Sequence, residues 1–473
     1  MIILVLHSDI NFNFAFQSTF NSNVIIELMK IKILFTVIIS LVLAVKGNTQ
    51  TLDKTRLDQF FDQLAEKNKA MGSLTIAKDG NVLYSRTIGY SRISGTEKKP
   101  ITETSRFRIA SIGKTYTAVM ILQLVEEGKL KLTDTLSKFF PQIPNAGKIT
   151  ILQMLSHRSG IPNISRESDP QRNWKNGITK EENLALIARA TPEFEPGTKQ
   201  SYSNSGYFVL GLILEKVTRK SYAEALEERI ISKTGLADTY NQAGFIDVNK
   251  NESLTYIYLN GDWQQVDETH PGIAYGGGQI MSTPNDMVRF IQALFDGKYV
   301  SEESLNLMKT ITDGEGLGLV TFTFADKTFY GNTGGGDNYG SWLAYQPEDK
   351  LAVAYTTNAK VYPVADIVSG VIEIFYNRPF QIPTFEIVEV SPEVLDKYVG
   401  VYSSSEAPVK FMVTRNDAKL FIQAGKESPS EIEATASDKF QMLGGSVVFI
   451  FDAAKKQMII RRSGGERIFT KEN

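Results

Sequence analysis

Ser111 and Lys114 stand three residues apart at the head of an apolar run, in a chain with three histidines and no cysteine. A serine hydroxyl is a poor nucleophile until a neighbour takes its proton. Histidine usually does this, but His7 falls in a leader segment, which leaves His157 and His270. A lysine offers another route. Positions i and i+3 share one helix face, so Lys114 can reach the Ser111 oxygen, and a lysine withdrawn from water loses its proton more readily. Two further stretches carry chemistry. Tyr202-Ser203-Asn204 offers a phenol to pass a proton and an amide to orient lysine and substrate; its plainer reading is a turn with Ser203 or Asn204 capping a helix. Tyr330-Gly331-Asn332-Thr333-Gly334-Gly335-Gly336 offers glycines that let a strand approach a ligand with free backbone N–H groups; its plainer reading is a flexible hairpin turn.

The surrounding pattern predicts the elements that hold these groups. Periodicity gives an amphipathic helix over Thr55 to Asn68, then a hairpin with Ser73 to Ala77 and Val82 to Ile88 around Asp79-Gly80. A helix runs from Ser111 to about Glu127 and stops near Gly128, apolar nearly all round, which places it in a domain centre. Ser111 would then sit where helix N–H groups favour negative charge. Helices follow at Ile151 to Ser156, Glu181 to Ala190, Ser205 to Thr218, Tyr222 to Ile231 and Pro284 to Phe295, the last capped by Thr283. Strands are predicted at Leu317 to Phe324, Ser341 to Tyr345 and Leu351 to Thr357, and a helix over Ala365 to Tyr376. A hairpin first, helices between and strands returning describe a mixed α+β fold. Arg378 to Pro392, with three prolines, reads as an extended linker, and residues 393–473 alternate in short segments as an all-β sandwich or barrel.

Composition narrows the classes. The 473 residues carry a formal net charge of −2 with no basic block, which argues against nucleic acid and anionic membrane surfaces as partners. The absence of cysteine excludes disulfides, thiol catalysis and cysteine-ligated metals, and two usable histidines leave no metal cluster in view. No cofactor is expected. At the N-terminus, Met29-Lys30-Ile31-Lys32, the apolar run Ile33 to Val45 and Gly47-Asn48-Thr49 follow the order of a secretory signal peptide. The apolar run is shorter than the about 20 residues a membrane-spanning helix needs. Residues 1–50 are therefore read as leader and signal peptide with Met29 as the true start, implying a periplasmic or secreted protein with no integral membrane domain after cleavage.

Taken in order, Ser111-Ile112-Gly113-Lys114, Tyr202-Ser203-Asn204 and Asn332-Thr333-Gly334 resemble the serine β-lactamase and penicillin-binding-protein superfamily, in the branch of class C β-lactamases, D-alanyl-D-alanine carboxypeptidases and related esterases. Leu155-Ser156-His157-Arg158-Ser159-Gly160-Ile161-Pro162 and Gly276-Gly277-Gly278 through Ser282-Thr283-Pro284-Asn285-Asp286 support the likeness, which spans Leu52 to Asn377. The stretch from Leu395 to Tyr402 resembles the small lipocalin-like domain appended to such hydrolases. The resemblance implies a β-lactamase-like domain over 51–377, with an antiparallel sheet flanked by helices. It implies an acyl-enzyme on Ser111, a base role shared by Lys114 and Tyr202, and an oxyanion hole from the N–H groups of Ser111 and Gly335. Asn204, Asn332, Thr333 and Gly334 would contact substrate. The substrate would be a small-molecule or peptide acyl donor, peptidoglycan-derived ones among them. His157 is then a structural hydrogen-bonding residue at a helix end, His270 an exposed loop residue, and Trp263 and Trp342 packing or cleft walls. The family's third motif usually begins with Lys or His; Asn332 supplies no cation, so a substrate carboxylate loses a fixed partner. That lowers β-lactam hydrolysis and raises esterase or peptidase activity on less charged substrates.

Overall fold

The computed structural model describes residues 52–164, 177–259, 261–405, 407–442, 447–462 and 465–472. The predicted signal peptide lies outside them. Leu52 to Asn473 forms one compact unit, built around a six-stranded antiparallel sheet and a closed barrel. The sheet strands are β1 (Ala70–Lys78), β2 (Asn81–Ile88), β3 (Val320–Phe324), β4 (Lys327–Gly336), β5 (Tyr339–Gln346) and β6 (Leu351–Lys360), in the spatial order β3-β4-β5-β6-β1-β2. The N-terminal hairpin thus completes a sheet whose other strands lie more than 230 residues away, with Leu74 opposite Tyr355.

Both sheet faces are covered. In β6, Ala352 and Ala354 join one core cluster, Val353 and Tyr355 the other, which is why this strand reads as a continuous apolar run rather than an alternation. Helix α1 (Lys54–Glu66) sets Leu57, Phe60, Phe61 and Leu64 on one face, with Asp53 as N-cap. The opposite face carries the helical half of the fold, centred on α2 (Gly113–Glu126), α3 (Asn204–Thr218) and α4 (Pro284–Phe295). Helix α5 (Val364–Phe375) packs with α1. Every residue of α2 from Gly113 to Leu124 is buried. Each full burial of a Leu, Ile, Val or Met side chain contributes roughly 1.5–3 kcal/mol. The helix ends as the sequence predicts: Gly128 adopts φ +70, while Lys129 N and Gly128 N bond Leu124 O and Val125 O. Thr283 caps α4 through Asp286 N.

Two expectations change. Ser111 is not inside the α-helix but in a 3-10 turn, Ala110–Ile112, just before it. The stretch read as an extended linker has no regular element between Asn377 and Ser391, yet it is packed, because Phe385 and Val390 find apolar contacts and are buried. The tail resolves to a barrel rather than a sandwich, with strands from Gly400–Ser404 through Gly465–Lys471 and Tyr402 pairing Lys471 to close it. Among the described residues no helix is long and apolar enough to cross a membrane.

Candidate active site

Ser111 is presented by a strained backbone. Ala110 adopts φ +45, a conformation that costs an L-residue about 1–2 kcal/mol. Two surfaces clamp the turn. Glycine is required at 334 because a Cβ there would collide with Ile109 O, and the Ser341 hydroxyl donates to the same carbonyl at 2.8 Å. On the other side, a Cβ at Gly278 would lie 2.9 Å from the Ala110 carbonyl carbon. β4 and the Tyr275–Gly277 turn can approach the nucleophile only as bare backbone.

Lys114, one turn on in α2, is 1% exposed. Its Nζ lies 3.0 Å from Ser111 Oγ, 2.7 Å from Asn204 Oδ1 and 2.9 Å from Gly277 O. Asn204 Oδ1 and the Gly277 carbonyl accept two of its protons, and its third position faces the serine. Tyr202 stands at the mouth, 38% exposed, with its hydroxyl 2.7 Å from Ser111 Oγ. Ser203 caps α3 through Gly206 N, so the phenol and Asn204 flank a cap: both readings of this tripeptide hold at once.

His157 supports the phenol rather than the serine. It is 3% exposed, at φ +56, and its ring lies 4.5 Å from the Tyr202 ring and 5.1 Å from that of Tyr207. Its Nδ1 accepts from Ser203 N at 3.1 Å. Burial, then the Lys114 charge, draws its pKa down to about 3, so the ring is neutral. His270 is half-buried instead of exposed, because its Nδ1 accepts from Gly272 N to cap the Pro271–Ile273 turn. Trp263 is buried, and Trp342 packs on Phe322 and Phe324.

The glycine-rich stretch is the end of an edge. β3 pairs β4 only as far as Gly331, so from Asn332 to Gly336 the outer side of β4 has no ladder partner among the described residues. One face of β4 lies against the Ser111 turn, since Gly334 abuts Ile109 and Ala110. Both ends of the Asn332 amide are engaged within the protein: Nδ2 donates to Gly318 O at 3.2 Å and Oδ1 accepts from Thr333 N at 2.8 Å. Gly318 O also accepts from Thr115 Oγ1 in α2 at 2.7 Å, tying the 310–319 loop to the site.

Three contributors escaped sequence reasoning. The Gly277 carbonyl holds Lys114, although only the run of glycines was visible as a pattern. Asn163 Oδ1 accepts from Asn204 N at 3.0 Å and so fixes the head of α3; nothing in its type marks it. Glu315 is the third. Burial pushes its carboxyl up to about 7, opposed by the nearby Lys114 charge. Its neighbour Asp313 pairs with Arg158 across the 310–319 loop. Among the described residues no group of three or more acidic or histidine side chains is arranged to hold a metal.

A serine in the turn before a buried helix, with an amine and a phenol in hydrogen-bond reach, defines a serine hydrolase of acyl-transfer type. The beta-lactamase family profile matches residues 57–369, and the chain belongs to that family. Penicillin-binding protein 4* of Bacillus subtilis (strain 168) is 26% identical over 87% of this chain and 97% of its own length. The D-alanyl-D-alanine-carboxypeptidase/endopeptidase AmpH of Escherichia coli (strain K12) is 25% identical over 69% and 91%. Among solved structures, the D-amino acid amidase of Ochrobactrum anthropi SV3 complexed with D-phenylalanine superposes with a TM-score of 0.61 at 25% identity, covering 68% of this chain and 99% of that one.

Proposed function

We propose that the enzyme cleaves amide, peptide or ester bonds of small D-amino-acid derivatives through an acyl-enzyme on Ser111. The observation that carries this is the pair of contacts on Ser111 Oγ: Tyr202 at 2.7 Å and Lys114 at 3.0 Å. The Ser111 oxygen bonds to the substrate carbonyl carbon while its proton passes to the Tyr202–Lys114 pair. Backbone N–H groups of Ser111 and Gly335 receive the oxyanion; one such donor is worth about 3 kcal/mol of transition-state stabilisation. The pair then protonates the leaving amine or alcohol, and water cleaves the ester on Ser111 to release the acid. Asn204 and Thr333 orient the substrate. The D-amino-acid preference is supported by the similarity to AmpH and to the D-amino acid amidase.

A second reading, a D-alanyl-D-alanine carboxypeptidase or β-lactamase, uses the same machinery. Labelling with a fluorophosphonate and a fluorescent penicillin, each against Ser111→Ala, separates the readings. Labelling by the first alone supports the amidase or esterase; labelling by neither means a silent binding module and overturns the proposal. Turnover of D-amino-acid amides, short-chain esters and nitrocefin then ranks the substrates. Export to the periplasm or medium is part of this proposal, supported by the order Met29–Lys32, Ile33–Val45, Gly47–Thr49. So is a separate lipocalin-like module over residues 393–473, supported by its barrel and its own apolar core.

A further inference from the structure

β4 ends in Gly334, Gly335 and Gly336, three residues without side chains on a stretch with a ladder partner on one side only among the described residues. Glycine is the most permissive residue for the backbone, so such an end needs an anchor outside itself. The next residue supplies one. Asp337 opens the two-residue turn between β4 and β5, and its Oδ2 and Oδ1 accept from Thr269 N at 2.7 Å and Thr269 Oγ1 at 3.0 Å. Thr269 O accepts in turn from Arg108 Nη1 at 3.2 Å, and the adjacent Glu268 Oε2 from Arg108 Nη2 at 2.7 Å. Arg108 Nε donates to Gln242 Oε1 at 3.0 Å. The guanidinium is buried, and its planar fork meets three acceptors at once. Arg108 also stands three residues before Ser111, in the short strand Phe107–Arg108 that pairs with Met281 and Ser282.

We propose that Arg108 is a positioning residue that sets the spacing between the two halves of the oxyanion hole. It carries the Ser111 half along its own backbone and grips the Gly335 half through Thr269 and Asp337. The inference rests on the acyl-enzyme reading of Ser111 and adds a residue to its support. The contact of Gly334 with Ile109 limits how close β4 can come to the nucleophile turn, but it exerts no pull. The Arg108 network supplies the pull, from the same strand that presents the serine.

The test uses three variants. Arg108→Lys keeps a buried cation beside Glu268 but loses the fork, Thr269→Val removes one bond to Asp337, and the third combines them. Asn338, the other turn residue, still donates from Nδ2 to Tyr256 O at 2.6 Å, so the hairpin keeps its second anchor and the variants should fold. The readouts are Tm, the rate constant for fluorophosphonate labelling of Ser111, and kcat and KM for an ester or amide that the wild type turns over. In Arg108→Lys, labelling rate and kcat should fall roughly ten- to 100-fold, the scale of a small misplacement, while KM stays near wild type. Thr269→Val should lose less, and the double variant should be no worse than Arg108→Lys, because both act through one link. A lowered Tm with wild-type labelling rate and kcat, a loss confined to KM, or losses that multiply in the double variant overturns the proposal. Labelling separates this from failure of the underlying reading: a wild type that labels while the variants match it removes Arg108 alone, whereas a wild type that does not label removes the acyl-enzyme.

Discussion

The groups proposed to activate Ser111 are themselves held. Gly277 O and Asn204 Oδ1 fix two positions of the Lys114 nitrogen and leave the third for the serine. Asn163 fixes Asn204, and His157 backs Tyr202. Lys114→Met keeps most of the stem volume, so the protein should stay folded while kcat falls roughly 100- to 10,000-fold, the usual worth of a positioned base. Tyr202→Phe, at an exposed position, should lose turnover with little change in Tm. Full turnover in either variant would remove that residue from the proton path. His157 adds a pH signature. Its folded pKa of about 3 lies below the ordinary value of 6.5, so the unfolded chain takes up a proton that the native state refuses. The stability is present above about pH 6.5 and is lost as pH falls toward 3. His157→Asn retains an acceptor for Ser203 N, and its Tm should decline less steeply between pH 6.5 and 4. Parallel wild-type and variant melting curves over that range would contradict this.

At the scale of elements, the site is a meeting of three backbones: the Ala110–Ile112 turn, the Tyr275–Gly277 turn and β4. Gly334 is the closest point. Gly334→Ala must push β4 away from Ile109, which moves the Gly335 N–H by a fraction of an ångström. Misplacement on that scale is expensive for an oxyanion donor, so kcat should fall more than tenfold. The overpacking itself should cost about 1–3 kcal/mol. Wild-type kcat with a lowered Tm would show that β4 does not set the oxyanion geometry. The amphipathic α1, the buried α2 and the caps at Ser203 and Thr283 were legible in sequence because periodicity and cap chemistry are local. The hairpin Tyr90–Ser94 and Glu97–Pro100 was not: it is mostly polar, with Glu97 to Pro100 all exposed, and shows no clear alternation. Helix Glu302–Lys309 was missed, despite Ser301 as its cap, because it buries only Ser304, Leu305 and Met308. The serine, lysine and tyrosine were legible as a spaced set. Gly277 O, Asn163 and Glu315 were not, since each reaches the site through tertiary packing and carries no local signature.

On the scale of the whole molecule, the strap between Asn377 and Ser391 decides how the barrel meets the body. Phe385 is its anchor. The ring stacks edge-on against Tyr362 at 5.1 Å, and Lys69 Nζ lies 5.4 Å above it. Lys69 continues to Glu433 of the barrel at 3.9 Å, and Val388 N donates to Ala434 O at 2.8 Å. Phe385 achieves this at φ +54, a conformation that a bulky aromatic adopts only when packing overrides backbone preference. The two effects separate by substitution. Phe385→Ala removes the ring but keeps most of the backbone cost, and should destabilise by about 3–5 kcal/mol. Phe385→Gly removes both and should recover about 1 kcal/mol of that loss. In both variants limited proteolysis should cut faster between residues 378 and 392, while fluorophosphonate labelling of Ser111 continues, because the ring partners of Phe385, Tyr362 and Lys69, lie outside α2, α3 and β4. Equal stability of the alanine variant and wild type would show that the ring is not the anchor. Loss of labelling in step with strap cleavage would instead show that the barrel's seating reaches the nucleophile.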